Sequence, residues 1–288
     1  MKTAASHVLP AALESDSRDG ALRPAKLGLI DYMVRTLGEP GFDRDIWLVP
    51  VGINYDRVLE DRSLIRERIV GGRRVSRIRQ LGGVVSYLFW NTVRLFTGRL
   101  QRYGRAAVNF GTPISVRAWL TTQPRDVLSL EKHERLARVQ QLADLAMERI
   151  GAVVPVTPVP LAAAALLSFG SSAVSRARLL ERMDDLRDQL GELNAKVVRG
   201  ELPIVEVWDR AWRMLSMRRL VLEQGETLVV LPGQRPLLEY YANSIRHLLP
   251  PDTLPVYSPA RESDPTLPRL ATREELEITT RERPLPGP

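Results

Sequence analysis

Eleven arginines, Arg62, Arg66, Arg68, Arg73, Arg74, Arg77, Arg79, Arg94, Arg99, Arg102 and Arg105, lie between residues 62 and 105, with Glu67 as the sole acidic residue among them. That segment carries +10 while the whole chain carries +7, so the remainder sums to −3. Such a concentration suits an anionic partner: acidic lipid headgroups, nucleotide phosphates, an acidic carrier protein or nucleic acid. A solvated arginine-rich face is the other reading, in a chain with 37 Arg and 4 Lys. Other reactive groups are sparse. The absence of cysteine excludes disulfides, thiolate nucleophiles and cysteine-based metal sites. His7, His133 and His247 are far apart, so no metal site is expected. Asn54, Tyr55, Asp56 and Arg57 follow a strand end, a place where α/β proteins often set ligand contacts. Equally, they form a turn in which Asp56 caps the next helix.

The elements that position these groups follow from periodicity and punctuation. Pro24 opens a helix through LGLIDYMVRTL that Gly38 terminates. A strand is expected over Asp45 to Ile53, with Pro50 confined to an edge or bulge position, and a second over Ala106 to Phe110. Between them, Leu81, Val84, Val85, Leu88, Phe89, Leu95 and Phe96 recur at helical spacing. Arginines flank that stretch. An interfacial helix on anionic lipid has this pattern, with Arg73, Arg74, Arg77 and Arg79 at the headgroups and Phe89 and Trp90 toward the acyl boundary. A core-facing helix has it too. The nearby aromatics sit in this apolar pattern and not on a stacking platform, so nucleic acid is not an expected partner.

From Ser129 the chain reads as mainly helical, through LEKHERLARVQQLADLAMERI, LAAAALLSFG, AVSRARLLERMDDLRDQLGELNAKVV and IVEVWDRAWRMLSMRRLVLE. A short strand at Thr227 to Leu231 then precedes a helix through LLEYYANSIRHLL. The tail is rich in proline and reads as mobile. The uncharged stretch from Ile150 to Ser175 is interrupted by Pro155, Pro158 and Pro160, and its helical part is too short to span a bilayer. The first sixteen residues lack a signal-peptide core, which points to a cytoplasmic protein. The expected organisation is a disordered or non-native start at 1–16, part of an α/β domain at 17–125, a helical domain at 126–250 and a mobile tail at 251–288.

Four segments, in order, resemble one family. Ser17-Arg18-Asp19-Gly20 through Pro24, Lys26, Leu27 and Gly28 to LVPVGINYDR comes first; Tyr103-Gly104-Arg105 with VNFGTPIS, VVPVTPVPLAAAALL and EYYANSIRHLL follow. Together they are similar to the later motifs of the membrane-associated glycerol-3-phosphate acyltransferases, over roughly residues 17 to 250. The resemblance implies a fold: an α/β class with a partial acyltransferase sheet and flanking helices, then a mainly helical carboxy-terminal domain. It also implies a reaction, acyl transfer from acyl-CoA or acyl carrier protein to glycerol-3-phosphate, without metal or bound cofactor. Close relatives of the family acylate dihydroxyacetone phosphate.

In that family a His-x4-Asp pair supplies the base, and it precedes the other motifs; no such pair stands ahead of Ser17 here, so the chain reads as truncated and inactive alone. His247 and Asp252 have the same spacing, but they follow every other motif and Pro250 and Pro251 fill the spacer. Coincidence is the better reading, with His247 a helix residue near a packed carboxy-terminal layer. The family's phosphate motif runs roughly Gly-Gly-Arg-Ser-Arg. Ser17 and Arg18 match its end, while Asp16 stands where an arginine is expected and would repel a phosphate. Lys26 reads either as extending toward the acceptor phosphate or nearby carbonyls or, more commonly for its position, as a solvated lysine at a helix start. The competing reading is a non-catalytic peripheral module that binds anionic membranes through residues 62–105. A sheet without its leading strands would also expose an apolar face and an unpaired edge.

Overall fold

Alternating burial along one short segment organises the first half of the molecule. The computed structural model describes residues 19–56, 105–170 and 173–254. Helix α1 (Leu27–Thr36) starts three residues after Pro24, with Lys26 at its N-cap, and buries Ile30, Asp31 and Val34 on one side. The single strand expected at Asp45 to Ile53 is divided into β1 (Trp47–Leu48) and β2 (Val51–Tyr55). Pro50 has no N–H to give a ladder, which is the reason for the break; its carbonyl accepts from the Gly111 N–H at 2.8 Å.

Strand β2 pairs antiparallel with β3 (Ala106–Phe110), with Ile53 opposite Val108, and β1 pairs with β4 (Ile114–Ser115). Ser115 then caps the short helix α2 (Val116–Thr121) by accepting from the Ala118 N–H at 2.9 Å. The long helix α3 (Lys132–Val153) buries Val139, Leu142, Ala143, Ala146 and Met147 at helical spacing. Val139, Leu142, Ala143 and Ala146 join Ile30, Val34, Leu48, Ile114 and Val116 in one apolar cluster, so that core draws on residues from both sides of position 125. A part-buried ion pair ties the layers, Arg135 Nε to Asp31 Oδ1 at 2.9 Å.

The second core surrounds α4 (Pro158–Ser168), in which every residue from Pro158 to Leu167 is buried. Prolines fit in its first turn because those N–H groups have no intrahelical partner, so α4 begins earlier than Leu161. Four consecutive alanines, Ala162 to Ala165, are fully shielded. Helices α5 (Arg176–Glu192), α6 (Ile204–Met217) and α7 (Arg235–Asn243) pack on α4 through Leu179, Met183, Trp208, Leu215, Leu238 and Tyr241. A three-stranded antiparallel sheet of β5 (Ala173–Ser175), β7 (Thr227–Val230) and β6 (Val221–Gln224), in that spatial order, completes the layer.

Two differences from the sequence reading concern the end. Helix α7 stops at Asn243, and a 3-10 turn at Arg246–Leu248 carries His247. Thr253 and Leu254, placed in the mobile tail by composition, are buried. Among the described residues no helix is long and apolar enough to cross a membrane.

Because alanine at position 163 lets neighbouring helices approach closely, enlarging it overfills the core. Ala163→Leu is expected to lower stability by about 2–3 kcal/mol, measured as a shift of the urea unfolding midpoint with an unchanged slope.

Candidate functional site

Ser17, Arg18, Arg57, Arg73, Arg74, Arg77, Arg79, Phe89 and Trp90 fall outside the described residues. What the structure does place is the described chain that adjoins them. Directly after Arg18, the Asp19 carbonyl accepts from Asn243 Nδ2 at 2.9 Å. Gly20 has φ 79, and a side chain there would meet the Tyr240 carbonyl at 2.0 Å. Only glycine tolerates both conditions. The Asp19 carboxylate is paired with Arg23 and also accepts from the Ala21 N–H at 3.2 Å. Lys26, at the head of α1, is exposed, and no hydrogen bond or ion pair joins its side chain to another described residue.

The end of β2 is fixed from the residue that follows α7 and from the stretch between α3 and α4. Asn54 is 6% exposed and donates through Nδ2 to the Pro155 carbonyl at 2.9 Å and to Ser244 Oγ at 3.1 Å. Its Oδ1 accepts from the Tyr55 N–H at 2.8 Å. Gly52 lies so close to the end of α3 that a Cβ would come within 2.5 Å of the Val153 carbonyl. On β3, Asn109 Nδ2 donates to that carbonyl at 3.1 Å. His247 completes the junction: its Nε2 is 3.1 Å from the Gly151 carbonyl, which can only accept, so the proton sits on Nε2.

All four motif-bearing segments therefore meet at the Gly151 to Thr157 stretch and at α7. Asn243, Ser244 and Asn109 were not singled out from the sequence. Asparagine and serine are common surface residues, and only the fold turns them inward.

Asp56 faces the first turn of α4, a hundred residues on; the helix it was expected to cap falls outside the described residues. Its Oδ2 accepts from the Arg105 N–H at 3.3 Å. Pro158 and Pro160 carry no N–H, and Leu161 N bonds back to the Thr157 carbonyl at 3.3 Å, so the Val159 N–H is the donor left over in that turn. It and the Thr157 hydroxyl stabilise the Asp56 charge, but Asp56 Oδ1 and Thr157 Oγ1 are buried without a well-formed hydrogen bond. Burial dominates and lifts the Asp56 carboxyl above its usual range, against the opposing pull of the Arg105 N–H, the Thr157 hydroxyl, the Arg105 charge and the Val159 N–H. Burial likewise lowers His247, with the Gly151 carbonyl acting the other way. Asp252 is exposed and no hydrogen bond or ion pair joins it to His247, so the junction holds no acid–base dyad of that kind. Among the described residues no group of three metal-binding side chains is found.

These shifts have opposite consequences for stability. Folded Asp56 holds its proton more tightly than the unfolded chain does, so its contribution falls as pH rises from the ordinary carboxylate value through the folded one. Folded His247 releases its proton more readily, so its contribution is present above the ordinary imidazole value and is lost as pH falls through the folded one. Urea unfolding from about pH 4 to about pH 8 should show the first slope flattened in Asp56→Asn and the second in His247→Gln.

Comparison with known proteins follows the same segments. Residues 89–256, more than half of the chain, match the family model described as glycerol-3-phosphate acyltransferase C-terminal region. The chain is 29% identical over 241 residues to a glycerol-3-phosphate acyltransferase of Pseudoalteromonas translucida (strain TAC 125), covering 81% of this chain and 28% of that protein. It is 27% identical over 250 residues to the protein of the same name from Baumannia cicadellinicola subsp. Homalodisca coagulata, and 26% identical over 240 residues to that of Aeromonas hydrophila subsp. hydrophila, with the same coverages of 81% and 28%. The chain thus spans a little over a quarter of the length of these curated relatives. With the family match covering more than half of the chain and running through the last three of the four motif segments, the chain belongs to the glycerol-3-phosphate acyltransferase C-terminal region family.

Proposed function

We propose that this chain is the carboxy-terminal region of an enzyme that transfers an acyl group from acyl-CoA or acyl carrier protein to the 1-hydroxyl of glycerol-3-phosphate, the opening step of phospholipid synthesis. The observation that carries the reading is the family match through residues 89–256, together with relatives that bear this name. In the reaction the hydroxyl oxygen attacks the thioester carbonyl, a C–O bond forms, the C–S bond breaks and the thiol leaves with the proton. One base and oriented substrates suffice, since a thioester is already activated. On this reading the base would come from the portion of the relatives that this chain does not match.

The role assigned to this chain is placement of the acceptor. Ser17 and Arg18 would hold the phosphate with Lys26 beside it. Anchoring of Asp19 and Gly20 on α7 supports that role, because it fixes the backbone immediately after Arg18. The segment with Arg73, Arg74, Arg77, Arg79, Phe89 and Trp90 would meet the anionic cytoplasmic face of the membrane, peripherally, or an acidic acyl carrier. On this reading β1 to β4 are the carboxy-terminal part of an α/β acyltransferase sheet, and the layer around α4 is the helical domain that follows it. No metal and no bound cofactor are needed, the acyl thioester being a co-substrate.

The test is acyl transfer from palmitoyl-CoA to labelled glycerol-3-phosphate in membranes. The chain alone should be inert. A hybrid in which residues 17–254 replace the aligned stretch of the Pseudoalteromonas relative should transfer acyl groups. Arg18→Ala in that hybrid should raise KM for glycerol-3-phosphate at least about tenfold, the loss expected for one charge-assisted contact. A folded hybrid without activity, or one indifferent to Arg18→Ala, would overturn the reading.

A further inference from the structure

The ribbon of β2 and β3 is patterned the wrong way round for an element with one buried side. Toward the body of the protein it presents Gly52, Asn54, Ala107 and Asn109; the two asparagines bond to carbonyls of Pro155 and Val153, and Gly52 rests on the backbone. Away from the body Ile53 is 49% and Tyr55 43% exposed while Val51, on the same face, is half-buried; before Pro50, Trp47 is 58% and Val49 50% exposed. The facing strand adds Val108 at 47% and Phe110 at 71%. Ile53 and Val108 are direct partners in the ladder, so Ile53, Tyr55, Val108 and Phe110 share one face of the β2–β3 ribbon with no charged residue in it, and Trp47 belongs to the separate β1–β4 pair.

Strands that are apolar on the side away from their own domain are strands covered on both faces. A two-stranded ribbon is also marginal by itself, and among the described residues neither outer edge of β2 or β3 is paired. Those edges decide between occupants. Lipid cannot satisfy a row of backbone N–H and C=O groups, whereas another polypeptide can add a strand and cover the face together. The relatives supply such a polypeptide: the matched stretch is 28% of their length, and the remainder is present in each of them.

We propose that the outward face of the β2–β3 ribbon, centred on Ile53, Val108 and Phe110, is the docking surface for the portion of the acyltransferase that precedes this region in the relatives. That portion contributes at least one strand to a free edge and an apolar layer over the face. The proposal rests on the functional reading above and names the surface through which it operates.

The experiment co-expresses the full chain with the part of the Pseudoalteromonas relative that precedes its matched stretch. The two should co-elute in equal amounts. Ile53→Asp and Phe110→Asp should each reduce recovery at least tenfold, while Leu193→Asp, at a site 61% exposed elsewhere, should not. Circular dichroism and thermal unfolding of the isolated variants check that they fold. Because the chain contains no cysteine, Phe110→Cys introduces its only thiol; that thiol should react freely with a maleimide in the isolated chain and be protected in the complex. No co-elution, or co-elution unaffected by the face substitutions, overturns the proposal. A dimer of the chain that Phe110→Asp dissolves overturns it in favour of a second copy, and protection of the thiol in the isolated monomer overturns it in favour of the chain's own residues 57–104. Co-elution that depends on the face but yields no acyl transfer leaves the docking surface standing and sinks the activity.

Discussion

Burial of α4 on every side is the constraint to which the remaining described structure answers. A helix without a solvent-facing stripe has nowhere to put a polar side chain, so from Pro158 to Leu167 its sequence reduces to proline, alanine, valine and leucine. Alanine at four successive positions keeps its radius small enough for α5, α6 and α7 to reach it together. The same burial makes its first turn expensive, because free N–H groups there have no water to bind. Pro158 and Pro160 remove two of those donors outright, and Asp56 and Thr157 lie over what is left. An apolar helix and a carboxylate from a distant strand are thus parts of one solution.

Helix α7 carries that solution outward. Its apolar side packs on α4 through Leu238 and Tyr241, while its carboxy-terminal end reaches the opposite way with Asn243, Ser244 and, just beyond, His247. Each of these three polar groups holds a different segment: the chain after Arg18, the end of β2 and the end of α3. None of the contacts is strong by itself, since a neutral hydrogen bond adds about 1 kcal/mol net. Their effect is positional. They convert the packing of a helical layer into a fixed placement for segments separated by up to 224 positions in the chain.

Much of this was legible in the sequence, and the reasons differ by element. Helices α3 and α5 were readable because their buried residues recur at three and four, and β3 because Gly111 and Pro113 close it. The break at Pro50 was readable as a disturbance but not as two strands, since one proline specifies a missing donor and not what happens on either side. Strands β5 and β6 were absorbed into neighbouring helices, having only three and four residues. The order of the four motif segments was readable; their convergence was not, because it depends on Asn54, Asn109, Asn243 and Ser244, whose types are equally at home in solvent. The Asp56 partner was likewise out of reach, since capping across a hundred residues leaves no local spacing to detect.

The glycine–asparagine inner face of the β2–β3 ribbon has a consequence for how this region reaches its native arrangement. Side chains alternate across a strand, so a slip of one residue would exchange the two faces and bring Ile53 inward. Hydrophobicity alone rewards that wrong register. What opposes it is a small set of directional constraints: the clearance at Gly52, which admits no side chain, and the amide bonds of Asn54 and Asn109 to main-chain carbonyls. The ribbon is therefore locally frustrated, with solvation pulling one way and geometry the other. The conflict disappears once the outer face is covered, and the region then acquires a single energetic preference that it lacks when folding in isolation.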